Sequence, residues 1–591
     1  MRVTERDVVI VGAGGAGLRA AIAAKELVSE ARVCLITKGE LGRSGVTATA
    51  CSDRMAFHCT LPTTEPGGPD NWKEHARDIY EIGGRVSDGN LAAILAKGSQ
   101  AAFEYLQSLG VPFVMKDGVP HQFVTDGSKY ARACYTGPYT ANHIEEALLR
   151  RFRQLGIEVL DRHFTIGVAV GNGEVAGVWV VPEESSDQAD IFFVAAPAVV
   201  LACGGAGELY EVNVYPPAMT GDGYAMALKA GAELVNMEFI QIGISSVKTK
   251  LACSGSMMRA IPRLVDARGD EILPSVIPDP VERCSLVFRK GASWPVSNEE
   301  PSHAIDVAVF KKIGDGGRVF LDYASNPVGF DPEGLPETIV QRYAAQGVNL
   351  LAEPYRSSPL ERLEAINPQA VRWLRERGVD LRRGERVEIA PAIQHFQGGV
   401  KINEQAETCV KGLFAAGETA GGQHGANRPG GNALLDTQVF GRIAGESAAR
   451  RACNLRVQLA EEPVLHAEFG SVSPSAVRDE LRRLMTRAGS VIRCEQTVMA
   501  ALRRVAELSR QSLALERSIA YTMETYNMIL SACAVLNAIL ARKESRGPHL
   551  FYYRDDLPAP RRDPEWQRYI VLSLRGGALQ LEARKPTPLC L

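Results

Sequence analysis

Three glycines, Gly12, Gly14 and Gly17, stand at the G-x-G-x-x-G spacing in "VVIVGAGGAG" (8–17). In such a motif the first glycine permits a tight turn and the second lets the backbone approach a pyrophosphate. The third lets a helix pack on the preceding strand, and the helix start offers free N–H groups and partial positive charge to phosphate. A second stretch, "HGANRPGGNALLD" (424–436), sets one guanidinium, Arg428, in a backbone nearly bare of long side chains. Twelve cysteines are scattered along the chain, and no two stand at the Cys-x-x-Cys spacing. Such pairs usually announce a cluster or zinc site, so the sequence implies no metal centre of its own. The scatter also argues against a disulfide framework and suits a reducing compartment.

Elements to hold these residues are legible around them. "DVVIVGAG" (7–14) is a continuous apolar run, as expected of a strand buried on both faces. "GAGLRAAIAAKEL" (15–27) reads as an Ala-rich helix and "RVCLIT" (32–37) as the next strand, which makes a βαβ unit. Many dinucleotide sites end that second strand in Asp or Glu for the ribose. Here Thr37 and Lys38 stand instead, which weakens a simple NAD reading. A second buried strand at 197–203 ends in Gly-Gly, and a helix follows from 221. From 238 to about 380 the texture changes to frequent Pro and charge, with "VFLDY" (319–323) strand-like and "ETIVQRYAAQ" (337–346) helical. Glycine-rich texture returns at 389–447, residues 460–545 read as helices, and the last forty residues read as a packed tail.

The whole chain sets bounds. Its 591 residues suggest roughly three to four domains. A net charge of −3 gives no general attraction to nucleic acid or anionic lipid. No apolar run precedes the first folded element, so no secretory signal is apparent. No stretch reaches the roughly 18 apolar residues of a membrane span; "MILSACAVLNAILA" (528–541) reads as a buried helix. These features predict a cytoplasmic protein without a direct membrane span, reaching a membrane only through a partner subunit.

Several longer segments are recognisable. They are "VVIVGAGGAGLRAAIAA" (8–24), "ITKGELGRSGVTATA" (36–50), "LACGGAGELY" (201–210), "TGDGYAMALKAGAELVNMEFIQ" (220–241), "HFQGGVKINE" (395–404), "GLFAAGETAGGQHGANRPGGNALLDTQVFGRIAG" (412–445) and "RKESRGPHLFYYRDDLP" (542–558). In this order they resemble the flavoprotein subunits of succinate dehydrogenase, fumarate reductase and L-aspartate oxidase. The resemblance covers most of the chain and implies FAD. It assigns the glycine turn to Gly12, Gly14 and Gly17, and the ribose to Thr37 and Lys38. It also gives cofactor roles to Ser44, Thr47, Asp222, Glu418, Asn427, Arg428, Ala433 and Leu434. Several members attach FAD through the His of a Ser-His-Thr motif; the match here is Ser44-Gly45-Val46-Thr47, without a His, so non-covalent FAD is expected. The Gly-Gly that follows in the family is replaced by "ATACSD" (48–53).

For the substrate, the resemblance implies a carboxylate held at the junction of flavin domain and cap. His395 matches the family's substrate His and Arg428 its carboxylate-binding Arg; a guanidinium fits a carboxylate bidentately. The alternatives are a core histidine at 395 and a flavin-contacting arginine at 428. On the cap side the agreement breaks. Gly243, Ile244 and Ser245 replace a His-Pro-Thr, and "SGSMMRAIPRLVDARGD" (254–270) has no carboxylate before Asp266. The family's proton-donating Arg falls at Pro301-Ser302-His303. His303 is the expected replacement, because an unperturbed imidazole titrates near neutrality; a surface His at a helix start is the other reading. Arg259, Arg263, Arg283 and Arg289 are further candidates.

The implied fold class is α/β: a discontinuous Rossmann-like FAD-binding domain with an inserted α+β capping domain and a C-terminal helical domain. The expected parts are 1–237 and 386–450 for FAD, 238–385 for the cap, and 451–591 for the helical domain and tail. The implied activity is hydride transfer between FAD and a carboxylate-bearing substrate other than plain succinate or fumarate. The alternatives are an aspartate-oxidase-like amino acid oxidase and an FAD-bearing electron-transfer subunit working with an iron–sulfur partner.

Overall fold

The computed structural model describes residues 2–50, 55–125, 127–293, 295–453, 455, 468–554 and 557–591. The second half of "ATACSD", with Cys51, and the first eight residues of the expected 460–545 helical region lie outside them.

Five strands form a parallel sheet in the order Leu413–Ala415, Ala198–Leu201, Val8–Val11, Val33–Thr37 and Glu158–Asp161. The three central strands are buried at every residue, which is why they read as unbroken apolar runs. The Gly15–Leu27 helix packs against the long Asn432–Ala452 helix. Their backbones nearly touch: a Cβ on Gly445 would lie 2.0 Å from the Ala20 carbonyl oxygen, and one on Gly441 2.8 Å from that of Ala16. A second, four-stranded sheet runs Val3–Glu5, Phe192–Ala195, Glu174–Pro182, His163–Gly171.

The cap has an antiparallel sheet of Ile240–Ser246, Val387–Phe396, Val319–Asp322 and Arg263–Asp266. Its apolar core, with Ile244, Val287, Leu321 and Trp373, is separate from the core under the parallel sheet. The outgoing and returning strands of the cap pair with each other in a register that sets Gln241 opposite His395.

Three helices, Pro474–Gly489, Glu495–Leu508 and Ile519–Ala541, make up the C-terminal bundle. The last is 23 residues long and apolar enough to cross a membrane by length and composition, with 67% of its apolar window buried inside the protein. This corrects the expectation of no such stretch: the helix begins at Ile519, where the Ser518 side chain caps it by accepting from the Tyr521 N–H, rather than at Met528.

The tail is more than packing. Tyr569–Arg575 and Ala578–Arg584 form a hairpin whose first strand pairs with Leu234–Val235, extending a sheet that includes Gly399–Lys401 and Ala420–Gly421. The "RKESR" motif before it is a buried ion network. Arg542 Nε lies 2.7 Å from Glu238 Oε1 and Arg546 Nε 2.6 Å from Glu544 Oε1, and all four side chains are fully buried. Arg546 also donates to the Gly84 carbonyl.

Exchange of Gly445 for Ala forces the two helices apart. It is expected to cost about 1–3 kcal/mol of stability, read as a lower denaturant midpoint; an unchanged midpoint would show that the helices can slide to accept a methyl group.

Candidate active site

One cavity of about 850 Å³ is lined both by the glycine turn and by the cap, within the size range of cofactor and ligand sites. On the flavin side its wall includes Gly12, Gly14, Thr37, Lys38, Ser44, Thr47, Asp222, Glu418, Ala433 and Leu434. Gly12 has φ +107°, in the region that favours glycine. Gly17 does not line the cavity; a Cβ there would lie 1.9 Å from the Gly12 carbonyl oxygen, so it serves helix–strand packing. The Gly15–Leu27 helix has no acid in its first turn, and the Gly15 N–H donates to Thr47 Oγ1 at 3.1 Å. A donor-rich, uncharged helix start at the end of a long cavity fits the phosphates of a dinucleotide. Gly45 has φ +96°, which a β-carbon-bearing residue such as histidine adopts only with strain.

Lys38 does not reach freely into solvent. Its Nζ lies 2.6 Å from Asp222 Oδ2, 2.6 Å from Glu524 Oε1 and 2.9 Å from Thr220 Oγ1. Burial acts to lower the pKa of this ammonium, but the two carboxylates outweigh it and hold the pKa above its ordinary value. Asp222 also accepts from Asn527 at 2.8 Å. Glu524 was invisible in the sequence, since no local spacing links it to Lys38.

The cap half of the cavity is built from the cap strand pair and the 424–436 loop. Gln241 accepts from Arg428 Nη2 at 2.8 Å and donates to Asn427 Oδ1 at 2.7 Å and to the Arg428 carbonyl at 3.0 Å. Arg428 Nη1 donates to the Pro429 carbonyl at 3.0 Å. The guanidinium is thus held rigidly, 7% exposed, in the cavity wall. Asn427 itself lies behind the wall. His395 lines the same cavity, and burial together with the Arg428 charge pushes its pKa well down, so its imidazole is neutral. With Gln397 Nε2 donating to its Nδ1 at 3.1 Å, the ring proton sits on Nε2 and can be donated. The bare backbone of the loop has a packing cause as well: a Cβ on Gly431 would lie 2.7 Å from the His58 ring. That ring and His75 both bond Asn432 Oδ1, at 2.8 and 3.1 Å, a cluster that the sequence reading missed.

The structure does not bring His303 to the cavity. Its Nδ1 bonds the Glu300 carbonyl at 2.7 Å on the first turn of the His303–Gly314 helix, and it is absent from the cavity wall. The physical reason is the packing of that helix: Asp306 is buried against Lys290 at 2.5 Å, and Ser302 is turned toward Ser293, with the hydroxyl oxygens 2.7 Å apart. Arg283 is spent on the Ile277, Pro278 and Val328 carbonyls, Arg289 on Glu300, and Arg263 on Glu271 and Asp322. Of the four arginines considered, Arg259 alone lines the cavity.

A parallel-sheet dinucleotide fold, with its cavity closed by a cap and furnished with a rigid guanidinium and a neutral imidazole, defines a flavin-dependent oxidoreductase. The comparisons agree. The FAD binding domain family matches residues 7–434 and the fumarate reductase flavoprotein C-terminal family residues 478–587. The chain is 31% identical to one of the subunits of the fumarate reductase (CoM/CoB) of Methanothermobacter marburgensis, covering 96% of this chain and 97% of that one. It is 27% identical to L-aspartate oxidase of Streptomyces coelicolor, covering 96% and 91%. Among solved structures it matches Mycobacterium smegmatis Sdh1 in complex with UQ1 with TM-score 0.78 and 26% identity, covering 100% and 96%. The chain belongs to the fumarate reductase and succinate dehydrogenase flavoprotein family, and its cofactor is FAD.

Two measurements follow from this geometry. Acid precipitation is expected to leave the flavin in the supernatant; flavin retained in the protein pellet would reveal a covalent link. Glu418 accepts from the Tyr215 hydroxyl and from the Phe396 N–H, and burial pushes its pKa up to about 7 from an ordinary 4.5. A folded-state pKa raised above the unfolded one contributes stability that is full below about 4.5 and is lost as pH rises to about 7. Glu418→Gln is therefore expected to flatten the fall in unfolding midpoint across that window, and parallel profiles for both proteins would contradict the assignment.

Proposed function

We propose that the protein transfers hydride between FAD and a carboxylate-bearing substrate other than plain succinate or fumarate. FAD, when bound, supplies the hydride chemistry. Arg428 binds one carboxylate bidentately, and His395 donates its Nε2–H to the same substrate, fixing the reacting carbons over the flavin. The observation that carries this reading is the Gln241 clamp, which holds Arg428 beside His395 in the wall of the cofactor cavity. The exclusion of plain four-carbon diacids rests on the cap. Gly243, Ile244 and Ser245 stand inside the cap strand pair, and none of them lines the cavity. The serine at 302 replaces an arginine and is turned away.

The same reading places the protein in a reducing, cytoplasmic setting, with electrons passed to or from a separate iron–sulfur chain. Cysteines without paired spacing support it. So does the methanogen relative, whose name makes it one chain of a larger enzyme.

The test is reoxidation of the dithionite-reduced holoenzyme under anaerobic conditions, followed by flavin absorbance. Fumarate is expected to leave the flavin reduced, whereas a larger unsaturated acid reoxidises it. Rapid reoxidation by fumarate would refute the substrate reading; reoxidation by no acid but only by oxygen admitted afterwards, together with reduction of the oxidised enzyme by L-aspartate in a separate run, would favour an oxidase. With the active acid, His395→Ala is expected to retain FAD and lose turnover, and Arg428→Met to lower kcat/KM by about 10–100-fold, the worth of a charge-assisted pair.

A further inference from the structure

Besides Arg428 and His395, the cavity wall includes residues of the cap whose charge is of one sign. Lys250, Arg259 and Arg377 all line it, with Trp373. Among the described lining residues the acids are Asp222 and Glu418. Both belong to the flavin side, where Lys38 and Tyr215 engage them. No cap carboxylate lines the cavity among the described residues; Glu376, 4.0 Å from Arg377, lies outside the wall.

The cations are positioned rather than scattered. A Cβ on Gly291 would lie 2.6 Å from Arg259 Cγ, so the glycine is what lets the Arg259 stem pass. The backbone around Arg259 is pinned by the Gly255 N–H donating to the Gly291 carbonyl at 3.1 Å and by the Tyr343 hydroxyl donating to the Arg259 carbonyl. Arg377 stacks on Trp373, its Cζ 3.8 Å from the ring centroid, which fixes the guanidinium plane. Lys248 donates to the Gly378 carbonyl at 2.7 Å, tying the turn that carries Lys250 to the end of the helix that presents Arg377. Asn367 and Ser256, both buried, also line the cavity, the Asn367 side chain donating to the Ser256 hydroxyl at 3.1 Å. Arg428 is buried, Arg259 half-buried, and Lys250 and Arg377 exposed; the Lys250 ammonium is held by donating to the Tyr215 carbonyl.

We propose that this cap wall is a second anion-binding position, and that the substrate is an acid carrying a second anionic group beyond an apolar spacer that lies along Trp373. The proposal rests on the preceding reading that Arg428 takes the first carboxylate. The cap strand Ile240–Ser246 presents Gln241 but no charged side chain to the cavity, so a second charge on the substrate has its cationic partners elsewhere on the cap. A long diacid places that charge among Arg259, Lys250 and Arg377. Carboxylate, phosphonate and sulfonate ends share the chemistry that three cations recognise.

The experiment titrates the oxidised holoenzyme with succinate, adipate, suberate and sebacate, and with hexanoate and octanoate, following the flavin difference spectrum. At least one diacid longer than succinate is expected to bind about tenfold tighter than both succinate and the monoacid of matching length. Arg259→Met and Arg377→Met are each expected to weaken that diacid about tenfold more than the monoacid, and Arg377→Lys to restore part of the preference. A phosphonate-ended or sulfonate-ended octanoate that binds tighter than octanoate supports the position equally. Retained FAD serves as the folding control for each variant. Long diacids binding no tighter than monoacids, or variants that weaken both alike, would overturn the proposal while Arg428→Met still weakened the binding of every carboxylate. If no carboxylate perturbs the flavin and Arg428→Met changes nothing, the preceding reading falls, and this one with it.

Discussion

One ammonium group holds the cofactor end of this protein together. Lys38 directly follows the Val33–Thr37 strand of the parallel sheet, Asp222 starts the Asp222–Lys229 helix, and Glu524 lies in the C-terminal bundle. The two carboxylates converge on the Lys38 Nζ at 2.6 Å each. Removing two carboxylates and an ammonium from water is costly unless each is paired. The three segments are therefore bound to keep their places, and Arg478, 2.9 Å from Glu524, extends the constraint into the next helix. The glycine turn and the far side of the cavity inherit their spacing from this pin.

The cap end of the cavity is organised by a strand pair. The chain leaves the flavin side through Ile240–Ser246 and returns through Val387–Phe396, and the antiparallel register between them delivers Gln241 and His395 together. Gln241 then fixes Arg428 from a third segment. A movement of the cap sheet would displace the imidazole and the guanidinium's holder at once, so cap position and the geometry of this end of the cavity are coupled through two facing residues.

How much of this was legible in the sequence depended on range. Gly12, Gly14 and Gly17 announce themselves because their constraints act within one turn. His395 and Arg428 were found through resemblance; nothing in their local spacing shows that Gln241 sits between them. Glu524 and Tyr215 were missed because their partners are distant in sequence. His303 was misplaced for a different reason: the buried Lys290–Asp306 pair and the Ser293–Ser302 contact set the rotation of its helix, and neither is visible as a pattern. The tail hairpin escaped because the Ala578–Arg584 strand is mostly exposed, with apolar and polar residues that need no strict alternation.

That hairpin has a consequence for how the molecule is made. Leu234–Val235 sits in the first half of the chain, yet one of its two strand neighbours is Tyr569–Arg575, more than three hundred residues later. The buried Glu238 likewise waits for Arg542. On the ribosome, the sheet therefore keeps an open strand edge, and Glu238 an unpaired carboxylate, until the segment from Arg542 to Arg575 has been made. A chain truncated before its final hairpin would lose more than a tail: it would expose the edge of a sheet begun more than three hundred residues earlier.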